Sequence, residues 1–311
     1  MTVCMKGRHL VSLHDLTTEE IYQILDGADA LKLRYQQGDD SFRPLAGKTL
    51  AMIFQKPSLR TRVSFEAGMN RYGGHAIYLG PDDISLGKRE TTADVARNLD
   101  RFVDGIMART FSHQHVVDLA KHSRVPVVNG LSDLMHPCQI LADLQTVREK
   151  KRRLEGLKMV FLGDGNNVAH SLMHGCAKVG MHFALAVPAG YEPDEQILAE
   201  AREDGKKTGA LLTVTHNVAE AVHNADVLYT DVWTSMGQEA EKIAREKAMM
   251  PYQLNQKTLS MAHPDAIVLH CLPAHRGEEI TAEVIDGPHS VVFDEAENRL
   301  HAQMSLLLQL L

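Results

Sequence analysis

Phe54-Gln55-Lys56-Pro57-Ser58-Leu59-Arg60-Thr61-Arg62-Val63-Ser64-Phe65-Glu66 follows directly on the apolar run 49–54 and leads into a stretch of helical spacing, residues 60–72. A strand, a short turn and a helix in that order make one β-α unit. The turn carries chemistry as well as geometry. Two hydroxyls and two guanidinium groups sit where the first-turn amides of the helix point outward. Those amides lack intrahelical acceptors and carry partial positive charge, and arginine gives paired hydrogen bonds to phosphate oxygens. The stretch reads as an anion cradle, with phosphate the best fit; a capped helix with surface arginines is the structural alternative. No Gly-x-x-x-x-Gly-Lys-Ser/Thr loop occurs.

Outward from this unit the pattern repeats. Further short, β-branched runs at 75–79, 105–108 and 125–129 predict strands, with a helix over 92–102 between them. A second series of predicted strands covers 158–162, 183–187, 211–215, 227–230 and 267–270. Strands alternating with helices predict an α/β fold with parallel sheets. An opening helix starts at Thr17, whose hydroxyl stands three residues before Glu20, and ends near Gln37-Gly38. A final helix over 296–310 has apolar spacing that needs a partner surface. Between the two strand series lies Arg148-Glu149-Lys150-Lys151-Arg152-Arg153. Five cations in six residues read here as the solvated, dipole-compensating end of a helix, and the domain boundary is placed there.

Composition narrows the function classes. The chain has 311 residues, and 33 Lys+Arg against 40 Asp+Glu leave a net charge of −7, which argues against a nucleic-acid-coating protein. At 44% hydrophobic and 23% charged the composition is ordinary for a globular protein of two domains. The four cysteines, 4, 138, 176 and 271, are too scattered for a disulfide framework. No signal-peptide core and no membrane span are read, so a cytoplasmic chain is expected.

Three more segments carry candidate chemistry. His136-Pro137-Cys138-Gln139 opens a helix after the 125–129 strand, where it could polarise a carbonyl or simply cap. His270-Cys271-Leu272-Pro273-Ala274-His275-Arg276-Gly277 follows the apolar run 266–269, at the strand end where open α/β sheets bind ligands. Asp231-Val232-Trp233-Thr234-Ser235-Met236-Gly237 follows the strand ending at Thr230 and reads as a loop able to close over a cationic substrate. Gly163-Asp164-Gly165-Asn166-Asn167-Val168 begins like a dinucleotide fingerprint, but the third glycine and the later acid are missing, so the turn instead offers Asn166 or Asn167 to a small ligand. His113, His115 and His122, and His170 with His174, lack zinc-site spacing and read as surface or core residues.

Taken together, Ser58-Leu59-Arg60-Thr61-Arg62, Ala108-Arg109-Thr110, His136-Pro137-Cys138-Gln139, Asp231 to Gly237 and His270 to Arg276 resemble the aspartate/ornithine carbamoyltransferase family over nearly the whole chain. Ser235-Met236-Gly237 and His270-Cys271-Leu272-Pro273 resemble its ornithine branch. The resemblance implies two α/β domains, the last helix returning to the first. Residues 1–147 with 296–311 would bind carbamoyl phosphate and residues 154–295 would bind L-ornithine, giving L-citrulline and phosphate. Ser58, Leu59 through its amide, Arg60 and Thr61 would hold the phosphate, Arg109 would bridge phosphate and carbonyl, and His136 would bond the carbonyl oxygen. Gln139, the Leu272 carbonyl and Arg299 would orient the carbamoyl group. Asp231 and Cys271 would bind the side-chain amine; Asn167, Ser235 and the Met236 backbone would fix the amino-acid end. Leu59 replaces a common threonine. Ser85 stands where relatives often carry Gln or His, on a loop given to a neighbouring subunit. The resemblance further implies a homotrimer or an assembly of trimers with shared sites, and no metal or organic cofactor. Another amine, N-acetylornithine, putrescine or aspartate, is the alternative acceptor.

Overall fold

Thr49–Phe54 contains no polar residue after its first. As strand β1 it is buried on both faces from Leu50 onward, the signature of a central parallel strand. In the computed structural model, which describes residues 3–87, 89–234 and 239–311, two units appear, Met1–Gln145 with Glu297–Leu311 and Thr146–Ala296. The first holds β1, β2 (His75–Leu79), β3 (Gly105–Arg109) and β4 (Val127–Leu131) in one parallel sheet of order β2-β1-β3-β4. Its helices are α1 (Thr18–Gln36), α2 (Leu59–Arg71), α3 (Pro81–Ile84), α4 (Thr92–Leu99), α5 (His113–His122) and the start of α6 (Pro137–Lys151). Thr17 and Glu20 form the capping box at the head of α1 that their spacing predicts.

The second unit orders β5 (Lys158–Leu162), β6 (His182–Ala186), β7 (Leu212–Thr215), β8 (Val227–Thr230) and β9 (Ile267–Leu269) as β7-β6-β5-β8-β9, again all parallel. Around them lie α7 (Asn167–Val179), α8 (Glu195–Thr208), α9 (Val218–Val222), α10 (Lys242–Met249), α11 (Gln256–Leu259), α12 (Ala282–Ile285) and the head of α13 (Val292–Leu310). Val160, Leu162, Leu228, Val268 and Val292 meet in its core.

From Glu297 onward α13 belongs to the first unit. Two glycines show how closely it lies there. A Cβ on Gly27 of α1 would stand 2.3 Å from Ser305 Oγ, and one on Gly68 of α2 would stand 2.5 Å from Met304 Sδ. Ser305 Oγ also donates to the Ile24 carbonyl at 2.6 Å.

The α/β class and the parallel sheets are as expected; several element ends differ, each for a local reason. The last helix begins four residues earlier, at Val292, because Asp294 and Glu295 in its first turn suit the positive end of the helix dipole. α4 stops at Leu99, not at Phe102, where Asp100 turns the chain and accepts from Arg124 N and Nε at 3.0 Å. β4 starts at Val127 because Pro126 has no N–H to give to a ladder.

Candidate active site

In each sheet two adjacent central strands send their crossovers to opposite sides, and at such a switch point the loops at the strands' carboxyl ends part to leave room for a ligand. β1 lies between β2 and β3 in the first unit, and β5 between β6 and β8 in the second. The loops so singled out are those after β1 and β3, and those after β5 and β8. Ser58 to Thr61, Arg109, Asn167 and Asp231 lie at these strand ends, whereas His136 and Gln139 follow β4 and Cys271 and Leu272 follow β9.

Ser58 caps α2, its Oγ accepting from Thr61 N at 3.3 Å. Leu59 exposes its side chain, so its contribution to an anion site is its first-turn amide. Arg60 is half-buried on the same turn, and Arg109, the last residue of β3, is buried. Gln55 N donates to the Arg109 carbonyl at 2.8 Å, which stitches the two loops together. Burial pulls Lys56 below the usual lysine range, and the Arg109 charge adds to this.

His136 precedes α6 and is buried. Burial first, and then the charges of Arg299, Arg109 and Arg60, hold it well below the ordinary imidazole range. It is therefore a neutral ring among three guanidinium groups, able to give one N–H to an oxygen without adding charge. Arg299, from α13, is buried and bonded through each of its three nitrogens. Nη1 donates to Gln139 Oε1 at 2.6 Å, Nη2 to Thr61 Oγ1 at 3.1 Å, and Nε to Gln303 Oε1 at 2.9 Å. Gln303 in turn donates to Ser64 Oγ at 2.7 Å, and Gln139 to Asp143 Oδ1 at 2.8 Å. Cys138 faces away from this chemistry: its thiol donates to the Asn129 carbonyl, and burial pushes its pKa up to about 12. Ser85 ends α3 at φ 43°, its hydroxyl donating to the Pro81 carbonyl within the same turn.

The second unit places acids at its strand ends. Asp231 follows β8 and is buried; Oδ1 accepts from Val232 N at 2.8 Å and from the Cys271 thiol at 3.1 Å, and Oδ2 accepts from Asn166 Nδ2 at 3.1 Å. Asn166 is thus tied to Asp231, while its own side-chain carbonyl oxygen caps α7. Asn167 is the first residue of that helix and half-buried. Ser235 and Met236 lie outside the described residues.

Leu272 stands at φ 57°, a left-handed conformation uncommon for a branched residue. A buried pair behind it holds it there. Leu272 N donates to His270 Nδ1 at 2.9 Å, which makes Nδ1 the acceptor and leaves Nε2–H to donate to Glu279 Oε1 at 3.1 Å. Glu295 takes the His270 amide at 2.9 Å and the Tyr229 hydroxyl at 3.1 Å.

Donor atoms suited to a metal converge twice in this unit, at Asp231, His270 and Cys271 and at His275, Glu278 and Glu279. In the first group the Cys271 thiol is bonded to Asp231; in the second Lys242 Nζ stands 3.3 Å from Glu278. Of the histidines read as surface or core, His170 and His174 are buried on α7.

Sequence reading missed Glu279, Glu295, Asp164, Arg245 and Gln303. Glu279 stood within reach, six residues beyond the Leu272-Pro273 pair. Arg245 gave no signal, because Lys242-Ile243-Ala244-Arg245-Glu246-Lys247 reads as a solvated helix face.

Residues 8–149 match the family described as "Aspartate/ornithine carbamoyltransferase, carbamoyl-P binding domain", and residues 155–310 match "Aspartate/ornithine carbamoyltransferase, Asp/Orn binding domain". The chain is 56% identical over 311 residues to an ornithine carbamoyltransferase of Carboxydothermus hydrogenoformans, covering 100% of both chains. It is 54% identical over 307 residues to an anabolic ornithine carbamoyltransferase of Pyrococcus furiosus, covering 99% of this chain and 97% of that one. Among solved structures, the ornithine carbamoyltransferase from Pyrococcus furiosus superposes with a TM-score of 0.97 at 53% identity, covering 99% of this chain and 98% of that chain.

Proposed function

The chain belongs to the aspartate/ornithine carbamoyltransferase family, and from that premise we infer that it moves the carbamoyl group of carbamoyl phosphate onto the side-chain amine of L-ornithine, releasing L-citrulline and phosphate. One observation carries the carbamoyl phosphate half: Arg299 links Thr61 at the head of α2 to Gln139 at the head of α6, at 3.1 and 2.6 Å, and three residues before Gln139 stands a buried His136 that burial and the charges of Arg299, Arg109 and Arg60 keep neutral. Ser58, the Leu59 amide, Arg60 and Thr61 hold the phosphate. Arg109 bridges phosphate and carbonyl oxygen, and Gln139, Arg299 and the Leu272 carbonyl orient the carbamoyl group.

Asp231 and Cys271 bind and orient the amine, while Asn167, Ser235 and the Met236 backbone hold the amino-acid end. With a pKa of about 10.4 that amine must give one proton to a protein group or to the phosphate before it attacks. The nitrogen then bonds to the carbonyl carbon, the carbon–oxygen bond to phosphate breaks with its electron pair leaving on phosphate, and the second proton passes to a phosphate oxygen. His136 donates to the carbonyl oxygen as charge grows on it, a contribution greatest in the transition state. Holding two substrates in attacking geometry supplies much of the remaining acceleration. The family resemblance further supports a trimer or an assembly of trimers whose Ser85 loop serves a neighbouring copy, and the relative named anabolic supports a biosynthetic direction.

The test is ureido-product formation from carbamoyl phosphate with L-ornithine, N-acetylornithine, putrescine and L-aspartate as acceptors. Citrulline from ornithine alone is the expected result. Turnover with another amine instead overturns the assignment of Asp231 and Cys271 to the ornithine amine.

A further inference from the structure

Arg245 is a buried arginine on a short helix of otherwise solvated charge, and its guanidinium reaches three separate loops. Nε donates to the Trp233 carbonyl at 2.6 Å, two residues past Asp231. Nη2 pairs with Asp164 in the turn after β5. The plane also faces the Tyr191 ring, 5.1 Å from its centroid, on the loop after β6. Glu241, the next acid along, is 3.6 Å from Nη1.

Each anchor leads back toward the amine site through a short chain of bonds. The Asp164 carbonyl accepts from Asn166 N at 2.8 Å, and Asn166 Nδ2 bonds Asp231. Gly165 N donates to the Tyr191 carbonyl at 2.8 Å. A Cβ on Gly165 would stand 2.3 Å from Pro193 N, so this turn has no room to shift. Trp233, buried, follows Asp231 by two residues, so fixing its carbonyl limits the swing of the Asp231 backbone. Buried charge is costly unless paired in good geometry, so a buried pair such as Arg245 with Asp164 is weak evidence for a purely stabilising role.

We propose that Arg245, through Asp164 and the Trp233 carbonyl, is a positioning residue that sets the placement of Asp231 and thereby the affinity for the acceptor amino acid, leaving the carbamoyl phosphate site untouched. The proposal rests on the assignment of Asp231 to the ornithine amine. Asp164 behaves as a group under competing demands: burial, and secondarily Asp231, push its pKa up to about 6 against the pull of Arg245.

The experiment compares steady-state kinetics for both substrates in Arg245→Gln, Arg245→Lys, Asp164→Asn and the Arg245→Gln/Asp164→Asn double variant, with Asp231→Asn as reference. Arg245→Gln is expected to raise the ornithine KM about tenfold or more and to leave the carbamoyl phosphate KM within about twofold. Arg245→Lys, which keeps the charge, recovers part of the loss, and the double variant is no worse than Arg245→Gln, as coupled residues require. An unchanged ornithine KM in Arg245→Gln, or equal rises for both substrates, overturns the proposal. An unchanged ornithine KM in Asp231→Asn instead overturns the assignment beneath it. If Arg245→Gln does not fold, Asp164→Asn and Arg245→Lys carry the same KM comparison.

Discussion

The carboxyl ends of the two sheets are built alike and charged oppositely. In the first unit the switch-point loops and the helices beside them present Arg60, Arg109 and Arg299 around a neutral imidazole. In the second they present Asp231 and Asp164, with Glu279 and Glu295 behind the β9 end. The same strand-turn-helix scaffold thus presents cationic groups in one place and anionic groups in the other. The backbone supplies the opening; the sign of the side chains decides what enters it. The two ends also differ in how they are braced. At the cationic end Arg299 is held by neutral amides and a hydroxyl, Gln139, Gln303 and Thr61. The anionic end is tied partly by a cation, Arg245, which offsets one of its two acids.

That contrast can be broken at either end. Arg60→Ala removes a charged, two-pronged donor from the phosphate site and is expected to lower citrulline formation at least a thousandfold, about 4 kcal/mol of transition-state stabilisation. Near-normal turnover would remove α2 from the anion site. Asp231→Asn is expected to cost about a hundredfold in kcat/KM for ornithine, with the carbamoyl phosphate KM little changed; equal losses for both substrates would make the acid structural.

Stability tests sharpen the comparison further. Gly68→Ala forces a methyl against Met304 and should destabilise the protein by about 1–3 kcal/mol, read as a lower denaturant midpoint. His301, buried on α13 with its ring edge-on to Tyr35, has a pKa lowered to about 4, by burial first and then by Lys32 and Arg71. A histidine lowered on folding takes up protons more readily in the unfolded chain. Its contribution is therefore whole above pH 6.5 and is lost as pH falls toward 4, by about 1.4 kcal/mol per pH unit. His301→Gln should flatten that limb in thermal melts at stepped pH, and an unchanged difference between pH 7 and pH 4.5 would refute it.

Much of this was written into the sequence in local form. Strand runs such as 49–54 and the Thr17–Glu20 box depend on neighbours a few residues apart, so they could be read directly. So could the motifs beginning at Ser58, His136 and His270, each of which packs its chemistry into one turn. Arg245 and Gln303 could not, since their meaning lies in partners 81 and 239 residues away and their own helices look ordinary. Helix α4 was read too long because Arg124, not any neighbour of Phe102, decides where the chain turns.

The last fifteen residues complete the first unit, carrying Arg299 to its anion site and Met304 and Ser305 against Gly68 and Gly27. A ribosome makes them after the whole of the second unit. That unit, contiguous from Thr146 to Ala296, is complete before residues 297–311 are added, whereas the first, begun earlier, waits for them to finish its core. A chain cut short at its carboxyl end therefore loses not the nearer unit but the one that was made first.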